Sequence, residues 1–151
     1  MANRIIDQKS YVSKSRSDVA ANSTVVQTGD FVSLSGGFAT AATTSGKIEG
    51  LANRGNTYAS DNQTVAKDTI SYTILRPGDL VRVAVTGGTI NNTKEGRFYN
   101  LSDPRTVNGA SESTGQETAD ASGASATAAI TIKQLRLVRF VTATLCDFEV
   151  V

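Results

Sequence analysis

The chain has 151 residues, of which 39% are hydrophobic, and its 15 basic and 14 acidic residues give a formal net charge of +1. This length fits one domain with a core of its own, whereas the near-neutral charge argues against nucleic-acid binding through a basic patch. Histidine is absent, and with it the commonest general base and metal ligand, so we expect neither an enzyme nor a bound metal or cofactor.

The first 22 residues carry a few apolar side chains among charged and polar ones. Such a stretch is too polar to form a core alone and is typical of a segment that becomes ordered on a partner. We therefore predict an extended N-terminal arm at residues 1–22 and one β domain at residues 23–151, and expect a chain that begins at Ser23 to keep its fold. The candidate partner-binding residues of the arm are Arg4, Ile5, Ile6, Tyr11 and Val12.

Two regions that follow share a pattern of strand, Gly-Asp turn and strand, at residues 24–34 and 73–83. Asp30 and Asp79 come directly after glycine in these turns. We expect both carboxylates to cap their turns by accepting backbone hydrogen bonds, so they are structural rather than catalytic residues.

The second of these regions continues into a nearly unbroken apolar run at residues 79–85, in which Arg82 is the exception. A run of this kind predicts a strand that is covered on both faces or lies at a partner interface.

Residues 106–129 contain no aromatic residue and one large apolar residue, Val107. Because such a segment buries too little surface to offset its ordering entropy, we predict a flexible loop, or an arm that orders against neighbouring subunits. Residues 130–151 return to dense β-forming residues, and their alternation changes phase near Lys133 and Gln134, as a bulge or corner would cause.

The last strand holds the remaining candidates for chemistry. Cys146 lies in an apolar pattern, which predicts a buried side chain rather than a reactive thiol. Asp147 and Glu149 share one face of this strand, where we expect them to be solubilising, or to meet a cation or a basic partner. The four tyrosines are dispersed along the sequence, so we expect them to pack rather than to form a stacking platform.

No stretch has the apolar length of a signal peptide or a membrane span, so we expect synthesis in the cytoplasm and no membrane contact.

The run GDFVSLSGGFATAATTSGKIEGLANRG, followed by TILRPGDLVRVAVTGGTI, resembles the small capsid decoration (cement) proteins of tailed bacteriophages. Members of that group typically read as a Gly-Asp hairpin, a short Ala/Thr-rich strand, a Gly-x-Ile-x-Gly step and a second hairpin with Pro-Gly-Asp. The resemblance covers roughly residues 24–98, and the longer Ala/Ser/Thr-rich loop after Tyr99 departs from it.

The resemblance implies an all-β fold, a small β-barrel, β-tulip-like or sandwich domain, here with the N-terminal arm and the long Ala/Ser/Thr-rich loop. It also implies a structural virion protein that binds the outer surface of the major capsid protein lattice, often as a homotrimer, and stabilises the shell. Such a protein is made in the host cytoplasm and ends on the capsid surface, without direct contact with nucleic acid.

Two other functions fit the sequence. A receptor-binding or carbohydrate-binding fibre or adhesin domain would show exposed aromatic residues clustered at a loop tip. A glycosidase without histidine would need two carboxyl groups facing one cleft, roughly 5 to 10 Å apart.

Overall fold

The structure is a computed structural model that describes residues 2–8, 14–119 and 130–151. It is nearly all β, with 48% of residues in strands and 5% in helices, which confirms the predicted all-β fold class. The strands in chain order are β1 (Arg4–Asp7), β2 (Ser15–Val19), β3 (Val25–Val26), β4 (Phe31–Ser35), β5 (Phe38–Ala41), β6 (Gly50–Ala52), β7 (Asn56–Thr57), β8 (Thr69–Ile74), β9 (Leu80–Thr86), β10 (Phe98–Tyr99), β11 (Leu101–Asp103), β12 (Thr106–Asn108), β13 (Glu117–Ala119), β14 (Ile130–Ile132), β15 (Leu135–Thr142) and β16 (Leu145–Val150). Two short 3-10 helices cover Asn92–Lys94 and Gly109–Ser111.

Five antiparallel strands form a nearly closed barrel in the order β2-β8-β6-β4-β5. The two end strands approach each other through a bridge between Ala20 and Ala39, both 0% exposed, whose small side chains let the backbones come close. A Cβ on Gly50 would lie 2.3 Å from the Thr73 carbonyl oxygen and 2.5 Å from the Tyr72 ring, so this part of the wall requires glycine. The barrel interior combines small side chains, such as Ala39 and Ala52, with the large buried side chains of Ile70 and Tyr72.

A second, seven-stranded sheet has the order β10-β15-β16-β9-β12-β11, with β1 paired to β9. Strand β9 is central, because β16 runs along one of its edges while β1 and β12 share the other. Residues 80–82 pair with β1, and residues 84–86 pair in parallel with β12. Strand β9 thus lies between β16 of the C-terminal hairpin on one side and β1 and β12 on the other.

The main hydrophobic core lies between this sheet and the barrel. Side chains of β9 and β16, such as Val83 and Phe148, pack there with Phe31 and Leu51 from the barrel strands. On β9, alternate residues face this core, while Leu80, Arg82 and Ala84 on the opposite face are half-buried. The strand is therefore buried on one face and partly covered on the other, so the expectation of two covered faces is wrong, and the alternative of a partner interface stays a prediction.

The two Gly-Asp turns are built alike. The Asp30 Oδ2 atom accepts a 2.8 Å hydrogen bond from the Gln27 backbone N–H, and the Asp79 Oδ2 atom accepts one of 2.8 Å from Arg76. Both carboxylates are 1% exposed. The interpretation of these aspartates as turn caps is confirmed.

The N-terminal residues differ from the predicted arm, since two of their segments belong to the sheets. Strand β1 joins the seven-stranded sheet, and β2 pairs with β8 in the barrel from Ser15 to Val19. Residue 22 is therefore not a boundary between an arm and a domain in the described chain. Pairing partners distant in sequence supply the order that the polar N-terminus cannot provide alone.

The segment predicted as a loop at residues 106–129 is ordered in its first part. Strand β12 pairs with β9, and Val107 is 0% exposed in the core. Residues 117–119 pair with β14, and residues 120–129 lie outside the described residues. The phase change near Lys133 and Gln134 is confirmed, because β14 and β15 flank these two residues and belong to different sheets.

Candidate partner-binding surface

The face of the seven-stranded sheet that points away from the core carries a row of charged side chains, which we call the arginine row. Its members are opposite one another on adjacent strands, Arg4 with Arg82, Arg82 with Asp147, and Asp147 with Arg139. Side chains at directly opposed positions of paired strands lie on the same face of a sheet. The pairing of β1, β9, β16 and β15 therefore brings together residues that are far apart in the sequence.

Asp147 is the centre of the row and is held by two guanidinium groups. Arg82 donates from Nε to Oδ1 at 2.7 Å and from Nη2 to Oδ2 at 3.1 Å. Arg139 donates from Nε to Oδ2 at 2.9 Å and also from Nη2. The Asp147 side chain is 0% exposed, whereas those of Arg82 and Arg139 are 17% and 56% exposed. The cluster carries one net positive charge, which Arg139 presents to solvent.

The environment of Asp147 sets its ionisation. Burial alone would raise its pKa, but the hydrogen bonds and charges of Arg82 and Arg139 outweigh burial and lower the pKa below its ordinary value. The same hydrogen bond raises the pKa of Arg82. Asp147 and Arg82 are therefore both held in their charged forms at neutral pH.

Next to the row, Arg136 and Glu149 are opposed on β15 and β16 and form an ion pair of 2.9 Å. At the other end of the row, Arg4 is exposed and has no ion-pair or side-chain hydrogen-bond partner in the described part of the chain. In addition, β1 pairs with β9 alone among the described strands. The surface thus combines one cation without a partner in the described chain, Arg4, with a strand edge that no other described strand pairs with.

The predicted partner-binding residues differ in location and burial. Arg4 lies on this surface, exposed, and Ile6 is half-buried on the same strand. Ile5 is half-buried and packs against the main hydrophobic core, so it anchors β1. Tyr11 and Val12 lie outside the described residues.

Sequence reasoning missed the rest of the arginine row. Asp147 was expected to be solubilising, or to meet a cation or a basic partner. It is fully buried and meets two basic side chains of its own chain. The signal available in the sequence was Arg82, the one charged residue inside an apolar strand, because a buried charge in such a strand needs a counter-charge nearby. Its partner could not be named without the strand order.

Cys146 is 0% exposed on the core face of β16, and its thiol donates a hydrogen bond to the Thr142 carbonyl oxygen at 3.3 Å. Burial raises the pKa of this thiol, which lowers its thiolate content at neutral pH. The prediction that Cys146 packs as a small apolar residue is confirmed.

We expect Cys146→Ser to lower the free energy of unfolding by about 1 to 2 kcal/mol, because a more polar group enters the core while the bond to Thr142 can persist. Denaturant titration measures this cost. In the wild type, the thiol should react with Ellman's reagent only after denaturant is added. Rapid labelling of the native protein would contradict the buried assignment.

Other described features give little support for catalysis or aromatic recognition. Tyr58, Tyr72 and Tyr99 are buried, as the packing prediction requires. Among the residues that line four clefts of the described chain, one acidic side chain is found, Asp68. Within the same residues, no group of three or more Cys, Asp or Glu side chains is placed to hold a metal ion.

Comparison with known proteins adds no family assignment. No protein-family model matches the chain, and no curated protein matches it significantly. Among the described residues, no helix has both the length and the apolar character needed to cross a membrane.

Proposed function

We propose that this chain is a capsid decoration protein that binds the outer surface of a major capsid protein lattice and stabilises the shell. In this proposal it acts as a homo-oligomer, with a trimer favoured, and resides on the virion surface. The proposal starts from the resemblance of residues 24–98 to bacteriophage decoration proteins. The all-β barrel and sheet agree with the fold that this resemblance implies.

The observation that carries the proposal is the arginine row beside the free edge of β1. Strand edges can pair with an extended segment of a partner, and cations on the adjoining face favour an acidic partner surface. At that edge Arg4 is an exposed cation without a partner in the described chain, and on the face Arg139, which also binds Asp147, has a side chain that is 56% exposed. Arg4 is available for contact without a change of fold.

The fibre or adhesin alternative has less support. It requires exposed aromatic side chains at a loop tip, and the tyrosines of the described residues are buried. A glycosidase is supported less still, since none of these four clefts is lined by two acidic side chains.

The test is cosedimentation of the protein with shells of the matching major capsid protein, using Arg4→Glu. This substitution places opposite charges at the pair formed with Arg82, so the fold should be retained. We expect binding to weaken about tenfold through loss of charge complementarity. Light scattering after size exclusion reports the oligomeric state.

Arg54→Glu is the matched control, because Arg54 is exposed between β6 and β7 and takes no part in the arginine row. It should bind shells like the wild type. Equal binding by Arg4→Glu would reject the proposed surface, and failure of the wild type to bind shells would reject the decoration function.

A further inference from the structure

A polar cleft of about 410 Å³ opens between residues 54–56 and the start of β8. Its volume is within the range of small-molecule sites. The cleft is lined by Arg54, Gly55, Asn56, Tyr58, Asp68 and Thr69. It shares no residue with the arginine row, so Arg54 can serve this cleft and still be the control for shell binding.

Both walls of the cleft are fixed by contacts within the chain. On one side, Asn56 pairs with Val26 across β7 and β3, and a Cβ on Gly55 would lie only 2.9 Å from the Val26 carbonyl oxygen. On the other side, the side chain of Asn62, a residue that is 0% exposed, donates to the Asp68 carbonyl oxygen at 2.9 Å and accepts from the Asp68 backbone N–H at 3.0 Å. The cleft is therefore preformed.

Tyr58 connects the two walls. The residue is 6% exposed, and its hydroxyl donates a 2.9 Å hydrogen bond to the Thr69 carbonyl oxygen. Burial raises the pKa of Tyr58, the positive charge of Arg54 opposes this rise, and the negative charge of Asp68 adds to it. Both charges thus act on one hydroxyl, and both side chains line the cleft that this tyrosine also lines.

Arg54 and Asp68 bring opposite charges to the cleft without neutralising each other. Both residues are exposed, and neither has an ion pair or a side-chain hydrogen bond within the described part of the chain. A ligand with a carboxylate for Arg54 and an ammonium for Asp68 would give each charge a partner. The polar residues Asn56 and Thr69 complete the lining, so a compact polar ligand matches the cleft better than an apolar one.

We propose that this cleft binds a small zwitterion of the α-amino acid type, with Arg54 pairing with its carboxylate and Asp68 with its ammonium. A zwitterion carries both charges in one small molecule, so it fits two unlike charges at one cleft better than a simple anion or cation does. The inference does not depend on the proposed function, since an amino acid can occupy the cleft whether or not the chain binds a capsid.

The test is an NMR titration of the full ¹⁵N-labelled chain at about pH 6 with L-serine, N-acetyl-L-serine and L-serinamide. N-acetyl-L-serine keeps only the carboxylate of the zwitterion, and L-serinamide keeps only the ammonium. We expect L-serine to shift the amide signals of residues 54–58 and 68–69, and to bind about fivefold more tightly than either analogue, because each analogue lacks one exposed ion pair. Equal affinity for the three compounds, or no signal shift with about 50 mM L-serine, would overturn the proposal.

Two variants assign the charges. Arg54→Gln should bind L-serine and L-serinamide equally, and Asp68→Asn should bind L-serine and N-acetyl-L-serine equally, because each substitution removes the partner of the group that the analogue lacks. Arg76→Gln and Asp61→Asn are the matched controls, since both residues are exposed and neither lines the cleft, and they should keep the fivefold preference of the wild type. An unchanged preference in Arg54→Gln and Asp68→Asn would also overturn the proposal. Because the comparison of the three compounds uses the wild type, it decides the question even if a variant fails to fold.

Discussion

A chain that begins at Ser23 is expected to lose its cooperative fold. The deletion removes β2, which pairs with β8 from Ser15 to Val19 and closes the barrel through Ala20. It also removes Asp18, whose Oδ2 atom accepts a 2.6 Å hydrogen bond from the Tyr72 hydroxyl. Exposure of the barrel interior, where Ile70 and Tyr72 are each 1% exposed, would cost about 5 kcal/mol or more, which is comparable to the stability of a whole small domain.

The matched control is a chain that begins at Gln8, which loses β1 but keeps the barrel. Its main loss is the packing of Ile5 against the core, so we expect it to stay folded and to be less stable by about 1 to 3 kcal/mol. Far-ultraviolet circular dichroism and urea titration separate the two results. A cooperative, β-rich transition in the chain that begins at Ser23 would show that the N-terminus is an arm after all.

The sequence predicted those parts of the fold that depend on neighbouring residues. The Gly-Asp turns, with Gly29 and Gly78 at φ values of 83° and 91°, follow from local backbone preferences. The apolar run at residues 79–85 identified the central strand, although not that one of its faces is only half-buried. Local signals were sufficient because each concerns a turn or a single strand.

Pairing between distant segments could not be predicted in this way. Strand β1 holds only four residues, and β12 holds three, Thr-Val-Asn, so neither has a pattern that stands out from a loop. Both are strands because the same edge of β9 accepts them. Their order is a property of the assembled sheet, which composition and periodicity do not report.

The charged sites show the same limit. Arg82 and Asp147 are 65 residues apart in the chain and become partners only through the register of β9 and β16. Lys133 was recognised as lying at a change of phase, which places it correctly at a corner, but its burial and its hydrogen bond to the distant Ser111 carbonyl oxygen were not predicted. The type of residue was visible in the sequence, and its environment was not.

Asp147→Asn is expected to lower the free energy of unfolding by about 3 kcal/mol at neutral pH, because it removes the buried negative charge that Arg82 and Arg139 both bind. The value is placed at the low end of the range for broken buried pairs, since the Arg139 side chain is 56% exposed and can turn toward water. The matched control is Glu149→Gln. Its carboxylate pairs with Arg136 on the same face, where the side chains are 25% and 42% exposed, and we expect a loss of less than about 1 kcal/mol.

The pH dependence of the stability difference between the wild type and Asp147→Asn tests whether the lost charge causes it. The pKa of Asp147 in the folded chain lies below the ordinary value of 3.8. Its contribution to stability is therefore present above that ordinary value and is lost as the pH falls through the lowered pKa of the folded state. Urea titrations at about pH 7 and about pH 2.5 should show a wide gap between the wild type and Asp147→Asn at the first pH and a narrower one at the second. A gap of constant size would mean that the asparagine acts by altering packing, and no gap at neutral pH would mean that the two arginines do not require the carboxylate.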